Sequence, residues 1–154
     1  MNSTLLQSAR QADGRYFTDA ELKPLERYVQ TYAVRLETYS ILREKGDELV
    51  LLALRKFAVI EGEMMRQHGD KCKRDMSYVV QVLALPLLQD DEGAFREQLT
   101  LLMQNILAEV HAERQSARAY QFLQQVVAEK MPAECAKLVN TYLEDLILSL
   151  KAGQ

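Results

Sequence analysis

Apolar residues in this chain recur at intervals of three and four, the spacing of one helix face, and nowhere settle into the alternation of a half-buried strand. Leu25, Tyr28, Val29, Tyr32, Leu36, Tyr39 and Ile41 mostly keep that rhythm and predict the buried stripe of a helix from Thr18 to about Lys45. Its start has the capping-box form Thr18-Asp19-Ala20-Glu21, in which side chains satisfy the free N–H groups of the first turn, and Pro24 predicts a kink or a delayed start. Gly46 is expected to end this helix. Asp47 would cap the next one, whose Leu49, Val50, Leu52, Ala53 and Phe57 bury one side, and Gly62 would close it. After a short turn from Met64 to His68, Gly69-Asp70 is expected to open a central helix to about Gln89. Beyond the break at Asp90-Asp91-Glu92-Gly93, the stripe Phe95, Leu99, Leu102, Met103, Ile106 and Val110 predicts another amphipathic helix. A short helix over residues 3 to 12, broken by Asp13-Gly14, precedes all of these. Two more, over 117 to 130 and 133 to 150 and divided by Met131-Pro132, complete an all-α chain.

Composition narrows the class without naming it. With 154 residues the chain fits one domain, and 6 glycines and 3 prolines leave sparse turn chemistry. Nineteen basic against twenty-two acidic residues give a net charge of −3, too mild and too mixed for a nucleic-acid binder. The two cysteines, Cys72 and Cys135, lie far apart. With no secretory signal and no apolar run of membrane-spanning length, they are expected to be reduced thiols of a cytoplasmic protein. No C-x-x-C pattern occurs, and two histidines make no tetrahedral zinc set, so no metal site is expected. Nor does a Ser/His/Asp set, phosphate loop or paired-carboxylate motif stand out, and catalysis is not expected.

One segment concentrates chemistry. Asp70-Lys71-Cys72-Lys73-Arg74-Asp75, followed by Tyr78, joins a thiol, cations and a carboxylate near an expected helix start. Cys72, Asp75 and Met76 share a helix face, with Val79 one turn on. The set suits a linear tetrapyrrole, which presents an electrophilic side-chain carbon, anionic propionates and a row of pyrrole N–H donors. A helix N-terminus beside Lys71, Lys73 and Arg74 would lower the Cys72 pKa and favour its thiolate.

This segment resembles the chromophore-attachment region of the phycobiliproteins, globin-like light-harvesting subunits in which Cys-x-Arg-Asp is followed by a tyrosine. Ala12-Asp13-Gly14-Arg15-Tyr16-Phe17 and Thr18 to Leu22 resemble the end of their N-terminal extension and the start of their first globin helix. Tyr142-Leu143-Glu144-Asp145-Leu146-Ile147 is similar to their final helix. The resemblance implies a helical extension over 1–17 and a globin-like domain over 18–154. It further implies a thioether from Cys72 to a phycocyanobilin-like bilin, Arg74 on a propionate, Asp75 on the inner pyrrole nitrogens and Tyr78 as pocket wall. Lys71, a flexible point charge, is the expected second propionate contact. Where the family continues with Leu-Arg and aromatic residues, this chain reads Val80-Gln81-Val82-Leu83-Ala84-Leu85-Pro86, and the stretch from Phe57 to Cys72 is shorter. Those departures point to the short phycobilisome-like globins associated with bilin biosynthesis, acting as carrier or chaperone or as a light-absorbing subunit. Localisation would then be cytoplasmic or phycobilisome-associated.

Two other readings stand beside this one. A cofactor-free interaction module would use only its helices, with Leu5, Leu6, Tyr16, Phe17, Tyr28 and Tyr32 as the face of a homodimer or of a contact with a related globin-like subunit. A haem globin would ask His68 or His111 to serve as axial ligand, and neither is well spaced for it.

Overall fold

Seven α-helices follow one another in the computed structural model, which describes residues 2–108 and 112–153. They are α1 (Ser3–Gln11), α2 (Asp19–Gln30), α3 (Tyr32–Ile60), α4 (Gly62–Leu88), α5 (Glu92–Leu107), α6 (Glu113–Lys130) and α7 (Ala133–Ala152), with no strand among the described residues.

Several boundaries follow from the local chemistry. The Thr18 hydroxyl accepts from the Glu21 amide at 3.3 Å, and the Glu21 carboxylate accepts from the Thr18 amide at 2.8 Å, completing the capping box that starts α2. Arg15 donates to both oxygens of that carboxylate, at 2.8 and 3.0 Å. Asp91 caps α5 by accepting from the Ala94 amide at 3.1 Å, and its other oxygen accepts from the Ser3 hydroxyl at 2.7 Å, which ties α1 to the start of α5. Gly14, at φ +79°, makes the turn that follows α1.

The glycines of the middle do not act as the sequence reading expects. Gly46 lies inside α3, which runs unbroken through Asp47 to Ile60, while the division from α2 falls earlier, at Thr31. Gly46 is there because α4 crosses at that point: a Cβ would sit 3.2 Å from Val80 Cγ1. Gly62 opens α4 instead of closing its predecessor, and Gly69-Asp70 are interior to it. Cys72 therefore stands nearly three turns inside a helix, away from any helix N-terminus.

The core forms where α3 crosses α4 and α6, α6 pairs with α7, and α5 lies across α4 and α7. Phe57, Leu83, Phe95, Leu143, Leu146, Ile147 and Leu150 are fully enclosed there. Cys135 is buried as packing, and Met76 fills the core beside Met64 and Met65.

The stripe predicted for the segment after Thr18 is not buried. No residue of α2 is, and Val29, Tyr32 and Leu36 stand on the surface, 64, 46 and 41 % exposed. Periodicity reports an apolar face without reporting what covers it. Conversely, Leu5 is buried and unavailable to a partner, whereas Leu6 and Tyr16 are exposed.

Arg35 anchors this corner. Its guanidinium, 1 % exposed, donates to the carbonyls of Tyr28 and Leu88 and, through Nε at 3.1 Å, to the Thr31 hydroxyl. The charge also lies 4.2 Å from the Tyr28 ring centroid. One buried cation thus holds the last turns of α2 and α4 together, where carbonyls lack helical partners.

Candidate functional site

Helical spacing sorts the motif on α4 into two faces. Cys72, Asp75 and Met76 line one small cavity with Met64, Ile106, Ser116, Ala119 and Tyr120, as their spacing predicts. At about 20 Å³ it has room for about one water molecule. Arg74, Asp75 and Tyr78 instead line an open groove of about 330 Å³ between α4 and α5, walled by Val79, Leu102 and Ile106. Tyr78 is 47 % exposed along it. Asp75 and Lys71 border both spaces.

Between them sits Lys71. Its ammonium donates to Asp75 Oδ2 at 2.5 Å and to the carbonyls of Asn105 and Ile106 at 2.8 and 3.1 Å. Those carbonyls belong to the last turn of α5, where the helix dipole favours a cation. Lys71 is itself 8 % exposed, a degree of burial that lysine reaches only when paired. The flexible point charge expected from the sequence is a fixed tie between two helices.

The electrostatics of Cys72 run opposite to the sequence expectation. With the thiol half-buried inside α4, desolvation is the largest influence and the Asp75 charge the next, and together they outweigh Lys71 and push its pKa up. The Tyr120 hydroxyl, buried over the same cavity, is likewise pushed well up by desolvation and by the charges of Asp75 and Cys72. A helix start at Gly69 would have favoured the thiolate. The continuous α4 removes that source.

Sequence reasoning named Cys72, Arg74, Asp75, Lys71 and Tyr78; the structure places Arg74 and Tyr78 on the groove, Cys72 on the small cavity and Lys71 and Asp75 on both, and sequence reasoning missed the opposing wall from α5 and α6. Leu102, Asn105, Ile106, Ser116 and Tyr120 carry no motif. Asn105 acts through its backbone carbonyl, which no side-chain pattern reports. His68 is half-buried on α4 and lines neither space, and His111 and Val110 lie outside the described residues. No group of three or more His, Cys, Asp or Glu side chains suited to a metal ion occurs among the described residues.

The architecture and the motif converge with a comparison against family models. A model described as phycobilisome protein matches residues 5–150. The chain belongs to the phycobilisome protein family. Its seven helices form the all-α, globin-like phycobiliprotein fold, and membership in the phycobilisome family carries a general bilin-binding role and an association with phycobilisomes. Phycobilisome proteins are in general non-enzymatic and pair with other phycobiliprotein subunits. No curated protein matches the chain significantly. No described helix is long and apolar enough to cross a membrane.

Proposed function

We propose that the chain binds a linear tetrapyrrole in the groove between α4 and α5, as a carrier or chaperone. The observation that supports this most directly is the lining itself: Arg74, Asp75 and Tyr78 converge on one groove, opposite Leu102, Asn105, Ile106 and Ala108 of the neighbouring chain segment. The donor set fits a bilin. Asp75 accepts from pyrrole N–H groups, Arg74 offers a two-pronged donor to a propionate, and Tyr78 offers a ring face. Bound there, the pigment supplies visible absorption, while the chain's residues orient it.

A carrier role is favoured over an antenna role by the position of Cys72. Its thiol lines the small cavity on the far side of the Lys71–Asp75 pair, and its raised pKa leaves little thiolate near neutral pH. Cys72 remains the thioether candidate, reached slowly. Incubation with phycocyanobilin, followed by absorption and by zinc-enhanced fluorescence after denaturing electrophoresis, tests both parts. A red-shifted band is expected in the wild type and in Cys72→Ala, with zinc fluorescence slow to appear and confined to the wild type. A folded wild type whose addition leaves the pigment spectrum unchanged would sink the proposal.

A second surface supports partnership. Every residue of α2 is unburied, and Leu22, Val29, Tyr32 and Leu36 leave an apolar face suited to a second globin-like subunit, either a copy or a relative. Sedimentation of the wild type beside Val29→Asp/Leu36→Asp checks it: a dimer is expected only in the first, with equal helical content in both.

A further inference from the structure

We propose that Lys71 is a displaceable internal cation, which occupies the Asp75 carboxylate in the free chain and yields it to the N–H groups of an incoming ligand. The proposal deepens the bilin-binding reading above and rests on it.

The ammonium has three protons and three acceptors, Asp75 Oδ2 and the carbonyls of Asn105 and Ile106. None remains for a propionate, so in this state Lys71 competes for the site and does not add to it. The tie is imposed by α5. On a helix, a cation placed four residues before an anion is the weaker orientation of such a pair, so the spacing of Lys71 and Asp75 alone does not hold them together. The two carbonyls at the end of α5 fix where the ammonium sits, and Asp75 meets it there.

That arrangement leaves the carboxylate the more accessible half of the pair. Both side chains border the groove, but that of Asp75 is the more open, 22 % exposed against 10 % for Lys71. A ligand entering the groove reaches the carboxylate first. When it takes the carboxylate, Lys71 keeps its two carbonyls and the favourable end of the α5 dipole, so the cation is not stranded.

A consequence for selectivity follows. A charge-assisted bond must be replaced, and a single neutral donor replaces it poorly. A ligand that directs several N–H groups, or a protonated one, at a single carboxylate can replace it. Lys71 thus filters ligands by donor number, in addition to any choice the groove makes by shape.

Titration with phycocyanobilin, followed by absorption, of the wild type, Lys71→Met, Asp75→Asn and the double variant tests this, with urea unfolding of each ligand-free chain to establish folding. Removing the competitor is expected to tighten binding about tenfold in Lys71→Met. The gain should vanish when Asp75 is already Asn. Lys71→Gln, which retains an N–H donor for the α5 carbonyls without the charge, should shift binding in the same direction and serves if the Met variant fails to fold. Pigment should also raise the melting temperature of Lys71→Met more than that of the wild type. Weaker binding by Lys71→Met and Lys71→Gln would make the lysine a ligand contact and overturn the proposal, as would unchanged binding. Binding by no folded chain would instead overturn the bilin reading, and the displaceable cation with it.

Discussion

Gly46 of α3 and Val80 of α4 approach so closely that a single methyl group at position 46 would stand 3.2 Å from the valine Cγ1. The crossing of the two central helices depends on this missing side chain. A branched residue there has nowhere to go, so Gly46→Val is expected to destabilise the fold by about 1–3 kcal/mol. Gly46→Ala is a finer probe, because alanine gains about 0.5–1 kcal/mol of helix preference over glycine. That gain should appear more fully in a Val80→Ala background than in the wild type. Urea unfolding of the four chains measures it.

The α2 capping box predicts an acid-sensitive corner. The Arg15 guanidinium, and then the Thr18 amide, hold the Glu21 carboxyl down at about 2, below its ordinary 4.5. A depressed folded pKa contributes stability that is fully present above 4.5 and disappears as pH falls from there toward 2. Carboxyl resonances followed by NMR should show Glu21 titrating near the lower value, and Arg15→Ala should move its midpoint upward.

Cys72 should be a sluggish thiol. With its pKa raised by burial and by Asp75, its reaction with a disulfide reagent near neutral pH is expected to be slower than that of a free cysteine. Asp75→Asn removes one of the two causes and should accelerate it. Cys135, 1 % exposed, should stay silent until the protein unfolds, so Cys72→Ala should abolish the native reaction.

Asp75→Ala tests stability and colour at once. Lys71 would keep two carbonyls but lose its anion in a largely buried place, at a cost of about 1–3 kcal/mol in unfolding free energy. Any bound bilin would lose its carboxylate acceptor. The red absorption of the complex should fall, and a spectrum unchanged from the wild type would remove Asp75 from the site.

Much of this was legible in the sequence. The capping box, the break at Asp90-Asp91 before α5 and the division at Met131-Pro132 are local devices and appear where side-chain chemistry puts them. The shared face of Cys72, Asp75 and Met76 follows from helical spacing alone. The errors came from glycine and from periodicity. Gly46 and Gly69 read as helix breaks, yet Gly46 answers to a neighbour distant in sequence and Gly69 sits inside α4. Val29 and Leu36 keep the rhythm of a core stripe but face outward, because periodicity fixes a side of the helix and not its cover. The tie of Lys71 to α5 was hidden, since two of its three acceptors are backbone atoms 34 and 35 residues away.

Arg35 has a practical consequence for anyone trimming this chain. Its buried charge is matched partly by the end of α2, so a version beginning after Gln30 would leave the guanidinium short of the Tyr28 carbonyl and ring while enclosing it still on the α3 and α4 side. A shortened chain should therefore replace residue 35 by an uncharged one in the same step. Left as arginine, it would draw water into the corner where the two long helices meet.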